Sequence, residues 1–527
     1  MRTNHRPRRI AAILLVPLFW GSAACAQQSA QVERAGSAGL SLADAAATIT
    51  AEEMYARIAT IADDSMRGRD TPSPELDQTA QWIADQYAAF GLEPAGEDGT
   101  YFQRYPFPLR ALDATSVHFG TVKDGENVTL EHGEDFFVSA ATPFPERAMG
   151  HGDLVWVGRM ADGSWPALDT IEGRVMVVSL PGSYDREWRV GFGRARRTAQ
   201  GAGARALVIV LDADFPELAF KRLSELAGRP SRGLVDPAEI PVFHLREAAA
   251  RAVFARGGID LDALPAEPGA SIAVPGVDAH FAAEALVVED ASAPNVVALL
   301  RGSDPELADT YVVFSAHMDH VGVGTPNAAG DSIYNGADDD ASGTTALVEM
   351  AQAFSQLDSP PRRSIVFLNV SGEEKGLLGS RWYSEHPTLP IDRIVANVNL
   401  DMIARNAPDT IVVIGQEYSS LGPLVQRVAV EHPELGLTVS EDPWPEERFF
   451  FRSDHFNFAR LEIPALFFFS GVHEDYHQQS DEVDKLDTDK AARVARLAFW
   501  TAHAIADSPE PPRWTAEGLE QVRALTR

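Results

Sequence analysis

The sequence predicts an α/β protein whose catalytic part is three-layered, a helix-covered and mostly parallel sheet, with a second, β-rich domain inserted into it. Three observations carry that expectation. First, after about residue 280 the chain shows five near-continuous apolar runs (Tyr311 to Ser315, Ile365 to Val370, Val395 to Leu400, Ile411 to Ile414 and Ala465 to Phe469), the pattern of strands covered on both faces. Second, helical spacings lie between them, as in Leu347, Met350, Ala351, Phe354 and Leu357. Third, the texture differs from about 131 to 279, where short apolar segments (Leu154 to Val157, Val175 to Leu180, Ala206 to Leu211, Val242 to Leu245) alternate with Gly/Pro turns and polar loops.

Taken in chain order, the first element is a charged and then apolar leader. Arg6, Arg8 and Arg9 precede an apolar run from Ile10 to Trp20, followed by Gly21-Ser22-Ala23-Ala24-Cys25-Ala26. This is the layout of a bacterial export signal, and about 11 apolar residues are too few to span a bilayer comfortably. Ser22 to Cys25 resembles a lipobox, while Ala24-Cys25-Ala26 also fits ordinary signal cleavage, so lipidation at Cys25 stays open. Both outcomes place the protein in the bacterial envelope, in the periplasm or as an outer-membrane lipoprotein. The expected organisation is a signal over 1–25, a tether over 26–45, a catalytic domain over 46–130 and 280–508, an insert over 131–279 and a peripheral tail over 509–527. Amphipathic helices are expected over Glu52 to Ala62 and Leu76 to Phe90, the second stopped by Gly91.

Composition narrows the function classes. With 527 residues, the chain exceeds one core, since domains hold roughly 100–200 residues each. It is 45% hydrophobic and 23% charged, as packed globular proteins are. The formal net charge is −31 and the body has no Lys/Arg-rich block, which argues against a nucleic-acid partner, because such binding needs cations to displace phosphate counterions.

The chemistry-bearing residues gather where the apolar runs end. Ser315-Ala316-His317-Met318-Asp319 closes the first; positions i and i+2 share a face, so Asp319 can fix the tautomer of His317. Gly336-Ala337-Asp338-Asp339-Asp340-Ala341-Ser342-Gly343 sets three adjacent carboxylates ahead of a helix, more than a helix dipole alone explains. Ser371-Gly372-Glu373-Glu374-Lys375-Gly376 follows the second run, and Asn399-Leu400-Asp401 ends the third with a carboxylate that is costly unless paired. Gly471-Val472-His473-Glu474-Asp475-Tyr476-His477 follows the last. Its HExxH letters match a zinc-protease pattern that works only on a helix; this segment leaves a strand through a glycine and lacks helical apolar spacing, so the match is read as accidental.

The ordered set His317, Asp339, Glu373-Glu374, Asp401 and His477 resembles the co-catalytic di-zinc aminopeptidase family, the group of bacterial leucyl aminopeptidases, glutamate carboxypeptidase and the transferrin receptor. Arg67-Gly68-Arg69-Asp70, Gly91-Leu92-Glu93-Pro94 and Tyr101-Phe102-Gln103 look like the family's N-terminal helices, and the 131–279 insert looks like a protease-associated domain, marked by Gly173-Arg174-Val175 and Gly203-Ala204-Arg205-Ala206. The resemblance implies the phosphorylase/hydrolase-like zinc-peptidase fold and two Zn2+ per chain, one held by His317 and Asp401, the other by Glu374 and His477, with Asp339 bridging. It also implies a cis Asp339-Asp340 peptide, Glu373 as the general base and Tyr476 as an oxyanion donor. Peptides are then the expected substrates and N-terminal cleavage the expected reaction, with a carboxypeptidase or dipeptidase of the same fold as alternatives. A single-zinc glutaminyl cyclase is a rival, as is a zincin using His473, Glu474 and His477. His320, His455 and His473 are expected to support the ligands or lie at the surface, and Lys375 and Arg405 are candidates to meet a substrate carboxylate. Acidic residues Glu441, Asp442, Glu446, Glu447 and Glu474 are expected to form a rim that holds a free amine. Oligomeric state is not legible.

Overall fold

The protein is described by a computed structural model. The described residues are 39–138, 147–159, 170–180, 186–234, 240–265 and 271–526. The expected export signal, Cys25 and most of the expected tether lie outside them. Among the described residues no helix is long and apolar enough to cross a membrane.

The larger part is built on a nine-stranded sheet. Its strands are β1 (Glu93–Pro94), β2 (Phe102–Pro106), β3 (Ser292–Leu300), β4 (Tyr311–His317), β5 (Ser364–Val370), β6 (Ile394–Leu400), β7 (Thr410–Ile414), β8 (Thr438–Ser440) and β9 (Ala465–Phe469). The order is β1-β3-β5-β4-β6-β9-β7-β8, with β2 also paired to β3. Neighbours β5/β4, β4/β6, β6/β9 and β7/β8 run parallel, whereas β3/β5 and β9/β7 are antiparallel. The apolar runs form strands because both faces are covered. Alternation along β4 sends Val312, Phe314 and Ala316 into one core and Tyr311 and Val313 into the other.

Helices α1 (Ala51–Ile61), α2 (Pro74–Ala89), α3 (Gly343–Ser355), α4 (Leu421–Glu431) and α5 (Thr488–Ala506) supply the first core. Their starts are chemically marked: Thr50 caps α1 through the amide of Glu53, and Ser73 caps α2 through that of Leu76, with Pro74 at the first helical position. Two expectations about the ends need correction. Ser41 caps a short helix at Leu42–Ala47 whose Ala45 and Ala46 are buried, so the expected tether is already packed by residue 40. The expected tail contains α6 (Ala516–Thr526), whose Val522 enters a core cluster with Phe449, Phe467 and Phe469.

A second sheet of ten strands is drawn from Leu109–Leu112 through Ile272–Glu289, wider than the 131–279 stretch expected of the insert. The boundary was misplaced because Ile272–Glu289 is one 18-residue strand that pairs on both sides within this sheet, running well past residue 279. The insert is also less purely β than its texture suggested. Strands Arg147–Arg159, Val175–Leu180, Ala206–Leu211 and Val242–Arg246 run mutually parallel, which requires crossovers, and helices Arg186–Gly201 and Glu217–Ala227 provide two of them. Trp188, Phe192, Ala195 and Ala199 give the first of these helices its apolar stripe beneath many arginines.

One buried group in this sheet has a measurable signature. His244 is 3% exposed and stacks on Phe137 at 4.5 Å and on Phe192 at 5.6 Å. Burial pushes its imidazole down to about 3. Between pH 6.5, where the unfolded imidazole titrates, and about 3, the unfolded chain binds one proton more, so stability falls as pH falls through that window. From pH 7 to pH 5 the group costs about 2 kcal/mol. His244→Phe, which fits the same aromatic stack, should remove that increment from the difference between urea midpoints at the two pH values. Equal losses in both chains would contradict this.

Candidate metal centre

The parallel strands β5, β4, β6 and β9 all end on one edge of the sheet, and the candidate residues follow those ends. His317 is the last residue of β4, and Asp401 follows β6 directly. Glu373 and Glu374 lie three and four residues past β5, and the segment carrying Tyr476 and His477 follows β9. Asp339 sits in the tight turn Ala337–Ser342 that leads into α3. Chain connections leave β4 toward β5 on one side and β6 lies on the other, so this crevice is a topological switch point, where open α/β sheets bind ligands. The Asp339-Asp340 peptide is cis.

The structure brings all five expected ligands together. His317 Nε2 lies 3.2 Å from Asp339 Oδ1 and 3.6 Å from Asp401 Oδ1. His477 Nε2 lies 3.2 Å from the other Asp339 oxygen, Oδ2, and 3.1 Å from Glu374 Oε2. Asp339 thus offers one oxygen to each of two groups. Bonds of about 2.0–2.1 Å in a tetrahedral site place ligand atoms about 3.3 Å apart, close to these separations. The contacts are near in distance but badly aimed for hydrogen bonding. Asp339 Oδ2 and Glu374 Oε1, both buried, have no hydrogen-bond partner, although His320 Nδ1 is only 2.8 Å from the latter. Donors that approach one another without bonding suit convergence on a shared cation, so the donor set fits a metal.

The electrostatics carry the same demand. Burial opposes the charge of His317, yet Asp401, Asp319 and Asp339 hold its imidazole well above the ordinary value. His477 is raised to about 10, because contacts with Asp339 and Glu374 outweigh its own burial. The buried carboxylates here thus demand positive charge beside them.

Other buried groups around the centre have different duties. Asp319 was expected to orient His317 through its carboxylate; the closer partner of His317 Nδ1 is the Asp319 main-chain oxygen at 3.1 Å, with the carboxylate at 3.6 Å. That carboxylate accepts instead from Thr71 Oγ1 at 2.9 Å and from the amide of Glu373. Asp340 groups with His317 and Asp401 at ligand-like separations, but its oxygens accept from the amides of His317, Gly343 and Met402. His320 is the group that sequence reasoning undervalued. Fully buried, it clusters with Asp339 and Glu374, and neither ring nitrogen has a hydrogen-bond partner. Its signal was its place three residues after His317 at the same strand end, amid carboxylates.

The segment after β9 is a series of turns, so its HExxH letters have no helix to act from. His473 Nε2 lies 3.2 Å from Asp338 Oδ2, behind the ligand set. Asp475 accepts from Arg405 at 2.8 Å and from Lys485 and Ser480 at 2.6 Å, which pins the loop just before Tyr476 and His477. Arg405 is therefore engaged, and Lys375 is 2.7 Å from Asp70; neither is held ready for a substrate. His455 is buried and stacked on Phe467 at 4.9 Å.

A pocket opens over the ligands, lined by His317, Asp339, Glu373 and Asp401 on its polar side. Met402, Phe449, Phe467, Phe469, Val472 and Tyr476 make its apolar wall. The expected acidic rim does not line it. The rim position is taken by Arg452, whose Nη1 is 3.5 Å from Glu447 and whose guanidinium lies 4.7 Å over the Phe449 ring. Sequence proximity to the acidic stretch hid that one cation, and none of those acids, lines the pocket.

Residues 295–502 match the family model described as peptidase family M28. The chain is 27% identical over 262 residues to a protein of Pyricularia oryzae named a probable zinc metalloprotease, covering 42% of this chain and 51% of that one. It is 33% identical over 147 residues to a probable glutamate carboxypeptidase of Arabidopsis thaliana, covering 27% and 18%. Against a probable leucine aminopeptidase of Arthroderma otae it is 26% identical over 215 residues, covering 39% and 57%. The chain spans about half the length of the fungal relatives it matches. Among solved structures, an aminopeptidase from Aneurinibacillus sp. strain AM-1 aligns over 89% of this chain and 97% of that one, at 20% identity and a TM-score of 0.45. All five ligand candidates fall inside residues 295–502, the stretch that matches the model of peptidase family M28.

Proposed function

We propose that the protein is a zinc-dependent exopeptidase, an aminopeptidase that removes N-terminal residues from peptides and uses two zinc ions per chain. The observation that carries this reading is the split of Asp339, one oxygen toward His317 and the other toward His477. His317 and Asp401 would hold one ion, Glu374 and His477 the other, and Asp339 both. Zinc supplies Lewis-acid polarisation of a carbonyl and a water acidic enough to attack at neutral pH.

The chain's own residues do the rest. Glu373 lines the same pocket as His317, Asp339 and Asp401 without being needed as a ligand. Its carboxylate is the base that takes the proton of the attacking water and returns it to the leaving amine. Tyr476 also lines the pocket; burial, with the charges of Asp339 and Glu374, raises its hydroxyl well above the ordinary value. It stays protonated at neutral pH and donates to the oxygen that becomes negative. The wall of Met402, Phe449, Phe467 and Phe469 suits an apolar side chain beside the scissile bond. Arg452 favours a second reading, in which a substrate carboxylate is bound and the enzyme is a carboxypeptidase or dipeptidase of the same fold. The N-terminal leader is proposed to export the chain to the envelope, with or without a lipid on Cys25.

Two measurements test these readings. Glu373→Gln should keep two zinc ions per chain by metal analysis while kcat falls by about 10²–10⁴; undiminished turnover would remove Glu373 from the role. On apolar dipeptides and tripeptides, N-acetylation should abolish cleavage and C-terminal amidation should leave it. The reverse result establishes the carboxypeptidase reading, loss with both modifications the dipeptidase reading. One zinc per chain with ammonia released from N-terminal Gln would identify a glutaminyl cyclase.

A further inference from the structure

Arg69 is a fully buried arginine that none of the chemistry above uses. It comes from the turn Asp64–Arg69 after α1, where Arg67, Gly68 and Arg69 all adopt positive φ, at 46°, 69° and 49°. The turn threads a narrow gap: a Cβ on Gly68 would lie 2.5 Å from the carbonyl oxygens of Gly322 and Tyr334. Only glycine passes there, and passing there delivers the next side chain beneath the ligand cluster.

The guanidinium donates to four main-chain carbonyls. Nε reaches Met318 at 2.9 Å, Nη1 reaches Ile61 at 2.8 Å and Asn335 at 2.6 Å, and Nη2 reaches Gly336 at 3.0 Å. Met318 stands between His317 and Asp319, and Asn335 and Gly336 lead into the turn that carries Asp339. One planar group therefore spans the two segments whose spacing sets the His317–Asp339 distance. The contact is reciprocal, since the amides of His320 and Gly322 donate to the carbonyls of Arg69 and Gly68. No carboxylate is among these hydrogen-bond partners. The charges of Asp319, Asp339, Asp481 and Asp340 act on Arg69 only through space, against its burial.

A buried charge bonded only to neutral carbonyls is costly unless the geometry it enforces matters elsewhere. We infer that Arg69 is a positioning residue: it braces the His317–His320 segment against the Asp339 turn, so that the metal site stands assembled before any metal arrives. The inference rests on the zinc reading above. Arginine suits the task because its rigid fork meets several acceptors at fixed angles, whereas lysine presents donors from a single atom.

The test is zinc affinity in the full chain, by competition with a chromophoric chelator, for wild type, Arg69→Lys and Arg69→Met. Supporting groups of this kind typically govern affinity by about 10–100-fold, so the zinc dissociation constant should rise by that factor in Arg69→Met and by less in Arg69→Lys. If both variants fold and bind zinc as wild type does, the side chain is a structural brace only and the inference is overturned. Should Arg69→Met not fold, Arg69→Lys and the wild-type chain decide. In metal-stripped wild type, the amides of 318–322 and 337–342 should exchange slowly, and zinc should slow them less than tenfold. Free exchange that zinc then suppresses would show that the metal assembles the site, and would sink the inference. A wild-type chain that binds no zinc defeats the zinc reading instead, a distinct outcome.

Discussion

A group of carboxylates buried at one sheet edge dictates the organisation of everything near it. Asp319, Asp338, Asp340, Asp454 and Asp481 are fully buried, Asp339 is 3% exposed and Asp401 6%. So many acids out of water would repel one another and lose their hydration, unless each finds donors or a cation. The structure separates those that find donors from those that do not. Asp340 takes three main-chain amides, Asp481 takes those of Asp338 and Asp339, Asp338 takes that of Ala404, and Asp401 takes the hydroxyl of Ser453. Buried oxygens of Asp338, Asp339, Asp454 and Glu374 are left without a hydrogen-bond partner. The main-chain amides taken by Asp340, Asp481 and Asp338 make a scaffold that ties loops together, and the unsatisfied oxygens of Asp339 and Glu374 lie against the imidazoles of His477 and His320.

That scaffold explains why the ligands come from five separate segments yet meet within hydrogen-bonding range. Asp481 reaches from the end of the His477 loop to the amides beside Asp339, and Asn406 holds the start of the same loop through the carbonyls of Ser470 and Gly471. Asp475 closes it with Arg405 and Lys485, an ion trio largely screened from solvent on the Asp475 side. Such a group holds geometry better than it adds net stability, because most of its Coulomb gain repays desolvation. His477 itself sits at φ 55°, so its backbone conformation relies on those neighbours to persist.

The central sheet was legible in the sequence because its strands are covered on both faces, and double burial leaves an uninterrupted apolar run. The five runs matched β4, β5, β6, β7 and β9 to within two residues at any end. β3, which starts Ser-Ala-Pro-Asn, gave no such run at its beginning, and its interior Asn295 is satisfied by Gln103 and Gly379 rather than by apolar contact. The helix over Arg186–Gly201 was obscured in the same way, by arginines flanking a four-residue apolar stripe. At the site, residue types and order were enough to nominate the ligands, since strand ends are where sheet topology gathers side chains. What spacing could not convey is direction: that Asp340 faces amides, and that Arg452 rather than the rim acids lines the pocket.

The clearest case of direction overriding sequence is the pair Glu373 and Glu374. Side by side in the chain and chemically identical, they are driven apart by their surroundings. Glu374 lies between His320 and His477; although burial and Asp339 oppose its charge, those imidazoles hold its carboxyl below the ordinary value. Glu373 points the other way, where burial and the charges of Asp454, Asp401 and Glu374 push its carboxyl well above it, with only His317 opposing. Two adjacent carboxyls are thus shifted in opposite directions, Glu374 toward the anion and Glu373 toward the protonated form. The turn Glu373–Gly376 creates that divergence by swinging the two side chains to different sides of the cluster, closed by the Gly376 amide on the Glu373 carbonyl with Gly376 at φ 102°, where a residue bearing Cβ would be strained. The different surroundings of the two glutamates are therefore set by a backbone turn.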